Sequence, residues 1–190
     1  MKLGVAVSGR GTNLRNLVER GLAVVAVATN RPSCGGAAYA RERGLPLAEL
    51  SQKSFSSVEE RDASMRDFFV EHGVELVVDA GYDRVHSAPF LEAFEGRIIN
   101  VHPSLLPAFS GGMDAIEQAL LAGVEDTGAT VHLVTDQLDA GPILVQESVP
   151  SRPGATVETL RQRVHEAEYR VLPVAIRIME ERLAKSPAVG

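Results

Sequence analysis

Short, nearly continuous apolar runs punctuate this chain at residues 2–7, 22–29, 74–78, 97–101, 130–135 and 143–149. Each reads as a β-strand, and the first, Lys-Leu-Gly-Val-Ala-Val, reads as a buried one. The segments between them carry helix punctuation. Residues 8–11 form a turn, and Thr12 is placed to cap a helix reaching about Arg20. A short helix over 35–43 is stopped by Gly44. Ser57 and Glu60 fit a capping box. The helix that follows has Met65, Phe68 and Phe69 on its apolar face and ends at Gly73. Residues 115–122 are helical up to Gly123. Thr156 opens a long helix with Leu160, Val164, Ala167, Val171, Ala175 and Met179 on one face, which Pro173 should kink or interrupt. There is no internal repeat, and only the tail after Leu183 is expected to fray.

This alternation of strands and helices predicts an α/β fold: a mostly parallel twisted sheet flanked by helices, with a long C-terminal helix. A length of 190 residues fits a single domain. Ligands in such folds sit at the carboxyl ends of the strands. The segments to read for chemistry are therefore 8–13, 79–86, 100–112 and 135–142.

Composition narrows the classes of function. Hydrophobic residues make up 45% and charged residues 23%, which is ordinary for a globular chain. With 19 basic against 25 acidic residues the net charge is −6, which gives no support to a general nucleic-acid surface. The single cysteine, Cys34, excludes an internal disulfide framework and a multi-cysteine metal site. No apolar run approaches the roughly 20 residues of a membrane span. The N-terminus enters a strand with no cleavage site, so no signal peptide and a cytoplasmic location are expected. His72, His86, His132 and His165 show no metal-ligand spacing and read as surface or packing histidines, so no metal is expected.

Gly9-Arg10-Gly11-Thr12-Asn13 follows the first strand and opens a helix. Its backbone N–H groups and the helix dipole suit an anion, and its glycines let the main chain approach closely. Position 14 is Leu, where a dinucleotide fingerprint needs a third glycine, and the second strand ends at Asn30-Arg31-Pro32 without a ribose-binding acid. There is no Walker lysine either. A monophosphate fits better than NAD or ATP, although a glycine turn with a helix cap also accounts for the loop.

Asn100 and His102 alternate on one strand end and so face the same way, and Pro103 holds His102 extended. An amide beside an imidazole can stabilise a developing oxyanion. An Asn and a His satisfied by local hydrogen bonds is the plainer account of the pair alone. Asp139 lies in Asp-Ala-Gly-Pro, where a solvated turn aspartate is the commoner outcome. From Ile98 to Ser151 there is no Lys or Arg but seven carboxylates, an environment expected to favour a charged His102.

Five segments together resemble the phosphoribosylglycinamide formyltransferase family. They are Ser8–Leu14, Ala80–Arg84, the Ile99–Pro107 run Ile-Asn-Val-His-Pro-Ser-Leu-Leu-Pro, Thr127–His132, and Leu138–Ile143. They occur in order across nearly the whole chain. The resemblance implies a Rossmann-like formyltransferase fold. It implies transfer of a formyl group from 10-formyltetrahydrofolate to the amine of 5-phosphoribosylglycinamide in de novo purine biosynthesis, by a monomer or homodimer acting on small molecules. Asn100, His102 and Asp139 would be the catalytic trio, with Asn100 and a charged His102 stabilising the oxyanion. Gly11, Thr12 and Asn13 would hold the substrate phosphate, and Glu168 its glycinamide or ribose end. Tyr82, Arg84, Val85 and His86, with the main chain around 79–86 and 135–139, would meet the folate. About 1–99 would bind the nucleotide and about 100–190 supply the chemistry.

The sequence departs from the family on the folate side. Asp79, Asp83 and His86 stand where apolar residues are usual. Val58 replaces an Arg, the nearest being Arg61, and Ala108 replaces a frequent Lys. The three polar residues either turn to one another and to solvent, or enter the folate pocket. A formyltetrahydrofolate hydrolase is the nearest alternative activity, set back by the intact phosphate loop. A non-catalytic nucleotide- or folate-sensing module is set back by the retained trio, and a nicotinamide-dependent reductase by the missing glycine and acid.

Overall fold

Every residue of Leu3–Val7 is buried, as a continuous apolar run in the middle of a parallel sheet requires. This strand, β1, belongs to a computed structural model that describes residues 1–111, 114–152 and 154–185. In chain order there follow α1 (Thr12–Glu19), β2 (Val24–Thr29), α2 (Gly35–Glu42), β3 (Leu47–Glu49), a 3-10 turn (Gln52–Ser54), α3 (Val58–Glu71), β4 (Leu76–Asp79), α4 (Ala88–Ala93) and β5 (Ile98–His102). Then come α5 (Ala115–Leu121), β6 (Asp126–Leu133), β7 (Ile143–Pro150) and α6 (Val157–Lys185). The seven strands run in the order β3-β2-β1-β4-β5-β6-β7. Pairing is parallel from β3 through β5, and β7 closes the edge antiparallel to β6. The mostly parallel sheet and long C-terminal helix are those that the pattern of strands and helices predicts.

The chain packs as two compact units. The first comprises residues 1–100 with 134–136, and the second 101–133 with 137–190. In the first, Met65 and Phe69 of α3 pack with Phe90 of α4 and Phe94 just after it over Val77 and Ile98 of the sheet. In the second, α6 lies along β6 and β7 with Leu160, Val164, Ala167, Val171, Leu172, Ala175, Ile176 and Met179 buried.

Several local expectations are corrected. Thr12 does not cap α1. Gly11 takes the cap position in the left-handed region (φ 74°), and Thr12 is the first helical residue. Pro173 does not interrupt α6, which runs unbroken past it. The buried side chains on both sides of the proline offset the roughly 3 kcal/mol that an internal proline costs. The Ser57 hydroxyl accepts from the Glu60 N–H as a capping box requires, but the Glu60 carboxylate returns to the Ser56 N–H and hydroxyl instead of to Ser57. β6 begins at Asp126, four residues before the apolar run, because its antiparallel ladder with β7 extends to Pro150. Three short pieces escape the sequence pattern: β3, the 3-10 turn and α4. The helix continues through Ala184 and Lys185, and the rest of the tail expected to fray, 186–190, lies outside the described residues, as does Gly112 at the end of segment 100–112. No helix among the described residues is long and apolar enough to cross a membrane.

Candidate active site

The loop after β1 is built by glycine packing. A Cβ on Gly11 would lie 2.4 Å from the Cα of Gly36 in α2, and one on Gly35 would lie 2.8 Å from the Arg10 carbonyl oxygen. The two helix starts therefore touch backbone to backbone, and the Gly36 N–H donates to the Gly9 carbonyl at 3.0 Å. Asn13 is buried in the first turn of α1, while Gly9 and Arg10 are exposed. The first turn of an eight-residue helix thus sits at the carboxyl end of β1, as an anion site requires.

The segment after β4 is tied down by the residues that depart from the family pattern. The Asp83 carboxylate accepts from Asn30 Nδ2 at 2.8 Å and pairs with Arg31, and the Asp83 N–H donates to Ser8 Oγ at 2.9 Å. Burial pushes the Asp83 carboxyl up, but the hydrogen bonds of Asn30 and Ser8 and the charges of Arg31 and Arg84 outweigh it and hold the pKa below the usual value. His86 turns inward. Its Nε2 lies 2.9 and 3.1 Å from the two Asp79 oxygens, and its ring is stacked between Tyr82 and Phe90. Of the two readings of His86, surface or packing, the structure shows packing. Arg84 and Val85 are exposed between these anchors.

His102, the last residue of β5, is buried, with Asn100 two positions before it on the same strand. The His102 Nε2–H donates to the Phe109 carbonyl at 3.2 Å, and Nδ1 faces Asp139 Oδ2 at 3.6 Å. Asp139 is no solvated turn residue, since its side chain is only 8% exposed. Its Oδ2 accepts the Gly111 N–H at 2.9 Å, and its Oδ1 faces His132 Nε2 at 3.6 Å. Phe109 and Asp139 both hold positive φ, 58° and 53°. Such conformations are costly for non-glycine residues and collect at functional sites. The loop between β5 and α5 is stitched to the β6–β7 ladder. Thr130 Oγ1 donates to the Ser104 carbonyl at 2.7 Å and accepts the Leu106 N–H at 3.1 Å, while Gln146 Nε2 donates to the Leu106 carbonyl at 2.9 Å.

The electrostatics correct one expectation. Burial lowers the His102 pKa below 6.5, and the Asp139 charge and the Phe109 carbonyl only partly restore it. Asp114 pairs with Arg161 and Glu147 with Arg170, both at the surface, so the segment's many carboxylates do not combine on the ring. His102 is thus biased toward its neutral form at rest. Asp139 is ionised, its pKa held at about 2 chiefly by the facing His132, against the opposing effect of burial, with help from the Gly111 N–H. NMR titration of the His102 ring should give a midpoint below 6.5. Because the Asp139 charge raises that pKa, Asp139→Asn should move the midpoint lower still, and an unchanged or higher midpoint would contradict this account.

His132 is the residue that sequence reasoning missed. It is buried and flanks Asp139 opposite His102, with its Nδ1–H on the Leu133 carbonyl. The available signal was alternation along β6, which puts Thr130 and His132 on one face of the strand. Glu168 is buried on α6, in the same unit as His102 and Asp139. Among the described residues no group of three or more His, Cys, Asp or Glu could hold a metal ion.

The family described as formyl transferase matches residues 1–176. The trifunctional purine biosynthetic protein adenosine-3 of Gallus gallus is 40% identical over 185 residues, covering 94% of this chain, but the chain spans only 18% of that protein's length. The phosphoribosylglycinamide formyltransferase of Mycobacterium tuberculosis is 39% identical over 180 residues, 92% of this chain and 83% of that one. Among solved structures, glycinamide ribonucleotide transformylase 1 from Symbiobacterium toebii superposes with a TM-score of 0.90 at 41% identity, over 96% of this chain and 89% of that one.

Proposed function

Since the chain belongs to the formyl transferase family, we propose that it transfers a formyl group from 10-formyltetrahydrofolate to the amine of 5-phosphoribosylglycinamide in purine biosynthesis. The observation that carries this reading is the buried His102 ring at the end of β5, set between a carbonyl and an ionised carboxylate. Gly11, Thr12 and Asn13 bind the phosphate at the start of α1, and Glu168 holds the glycinamide or ribose end. The main chain of Tyr82, Arg84, Val85 and His86 meets the folate.

As the amine adds to the formyl carbon, negative charge grows on the formyl oxygen and the attacking nitrogen becomes acidic. Asn100 donates to that oxygen. His102, biased toward its neutral form at rest, gains basicity from the new negative charge beside it, so it can take up a proton at the moment it is released. Asp139, ionised throughout, stabilises the resulting imidazolium. The proton then passes, through the ring or a water held by Asp139, to the folate nitrogen that departs.

The test is a turnover assay with each substrate omitted in turn. Formylation of the ribonucleotide that requires both substrates supports the proposal. Release of formate from the folate alone would show a hydrolase, and binding without turnover a sensing module.

A further inference from the structure

Asp79 and His86 face inward and Asp83 lies at the surface, and all three polar departures from the family pattern hold the same short segment. Asp83 fastens its front to Ser8, Asn30 and Arg31. His86 fastens its back to Asp79, the last residue of β4, with side chains only 1% and 7% exposed. Behind this pair lies a second one, equally buried. Arg61 donates through Nε and Nη2 to Asp62 Oδ1 at 2.9 and 2.6 Å, and through Nη1 to Gln52 Oε1 at 3.0 Å. The other Asp62 oxygen accepts the Ser87 N–H at 2.6 Å, next to His86. Arg84 and Val85 stand exposed between the front and back anchors.

We propose that Asp79 and His86, backed by Asp62 and Arg61, form a buried clamp that positions segment 80–87 to receive the formyl donor. The inference rests on the reading of that segment as the donor side. The clamp acts through position, not contact. His86 Nδ1 is enclosed and without a hydrogen-bond partner, and both ring faces are covered by Tyr82 and Phe90. In the parallel register Asp79 is paired with Asn100, so the clamp stands one strand away from the proposed oxyanion donor.

The charge preference of His86 follows from the groups that face it. Burial pushes its pKa down, but Asp79 on β4 and Asp62 on α3 reverse this against the opposing Arg61, and the net direction is upward. Arg61 and a His86 biased toward its charged form then face the two carboxylates. Removing one member leaves an uncompensated buried charge, which is strongly destabilising, whereas replacing an entire buried pair with apolar residues is often tolerated.

The experiment compares wild type, His86→Leu, Asp79→Asn and the double variant Asp79→Leu/His86→Leu. Their KM values for both substrates are measured, with hydrogen exchange of residues 80–87 as a readout independent of turnover. His86→Leu should raise donor KM at least tenfold, leave ribonucleotide KM within twofold, and speed exchange across 80–87. Asp79→Asn, which keeps the shape, should act in the same direction and serves if His86→Leu does not fold. The double variant should recover most of the loss. An unchanged donor KM in a folded single variant, equal rises in both KM values, or a double variant no better than the single would each overturn the clamp. If wild type transfers no formyl group, the proposed function fails, and exchange alone then decides the clamp: unchanged exchange across 80–87 in the single variants would overturn it.

Discussion

His102→Ala lowers kcat by about 10²-fold or more while the protein still folds, and Asn100→Ala and Asp139→Ala do the same. That is the usual scale for losing an oxyanion donor or a proton-transfer group. The fold survives because the polar atoms released have replacements. His102 gives up one bond to the Phe109 carbonyl, on a loop that Ser104, Thr130 and Gln146 hold independently. Asp139 gives up the exposed Gly111 N–H, which water can satisfy, and the facing His132, whose Nδ1 keeps its bond to the Leu133 carbonyl. The three variants should differ in pH behaviour. His102→Ala removes the group that titrates below 6.5, whereas Asp139→Ala keeps it and moves it lower, since the carboxylate raises that pKa. Single-turnover rates with both substrates saturating separate chemistry from binding. Near-normal turnover in folded His102→Ala would overturn the mechanism, and a rise in KM alone would make the ring a binding group.

Much of this arrangement is legible in the sequence because it is local. The continuous apolar runs at β1 and β4 specify buried parallel strands, and the Asn-Val-His spacing fixes two side chains on one face whatever surrounds them. What escapes depends on partners distant along the chain. Nothing near Asp139 announces that it meets His132 across the β6–β7 connection. The acidic stretch around His102 suggests a charged ring, yet burial, which is set by packing, wins over charge count. Pro173 reads as a break because its cost is local, while the burial that offsets it comes from β6 and β7. Asp79 and His86 are visible as departures. Their mutual pairing is not, because it needs the turn after β4 to fold back over seven residues.

Gly11→Ala should cost roughly 2–5 kcal/mol, and its cause lies in packing, not in the approach of an anion. Sequence reasoning gives Gly11 one duty, to let backbone reach a phosphate. The structure gives it two others. Its φ of 74° costs a side-chain-bearing residue roughly 1–2 kcal/mol. A Cβ would also sit 2.4 Å from the Gly36 Cα and 2.9 Å from its nitrogen, well inside contact distance. Relief would require α2 to retreat, but Gly36 is wedged in turn: a Cβ built on it would come within 2.8 Å of Val7 on β1, and its N–H is bonded to Gly9. Forced overpacking of this kind adds roughly 1–3 kcal/mol. For a chain of this size the sum lowers Tm by roughly 4–20 °C. Gly9→Ala is the control, because its Cβ would meet nothing within 4 Å. That variant should melt within about 1 °C of wild type, as open surface substitutions do. Any rise it causes in ribonucleotide KM would then report on the phosphate site free of a folding defect, which Gly11 variants cannot do. A Gly11→Ala protein that melts like wild type would show that α1 and α2 separate easily, and would return Gly11 to the single role of admitting the anion.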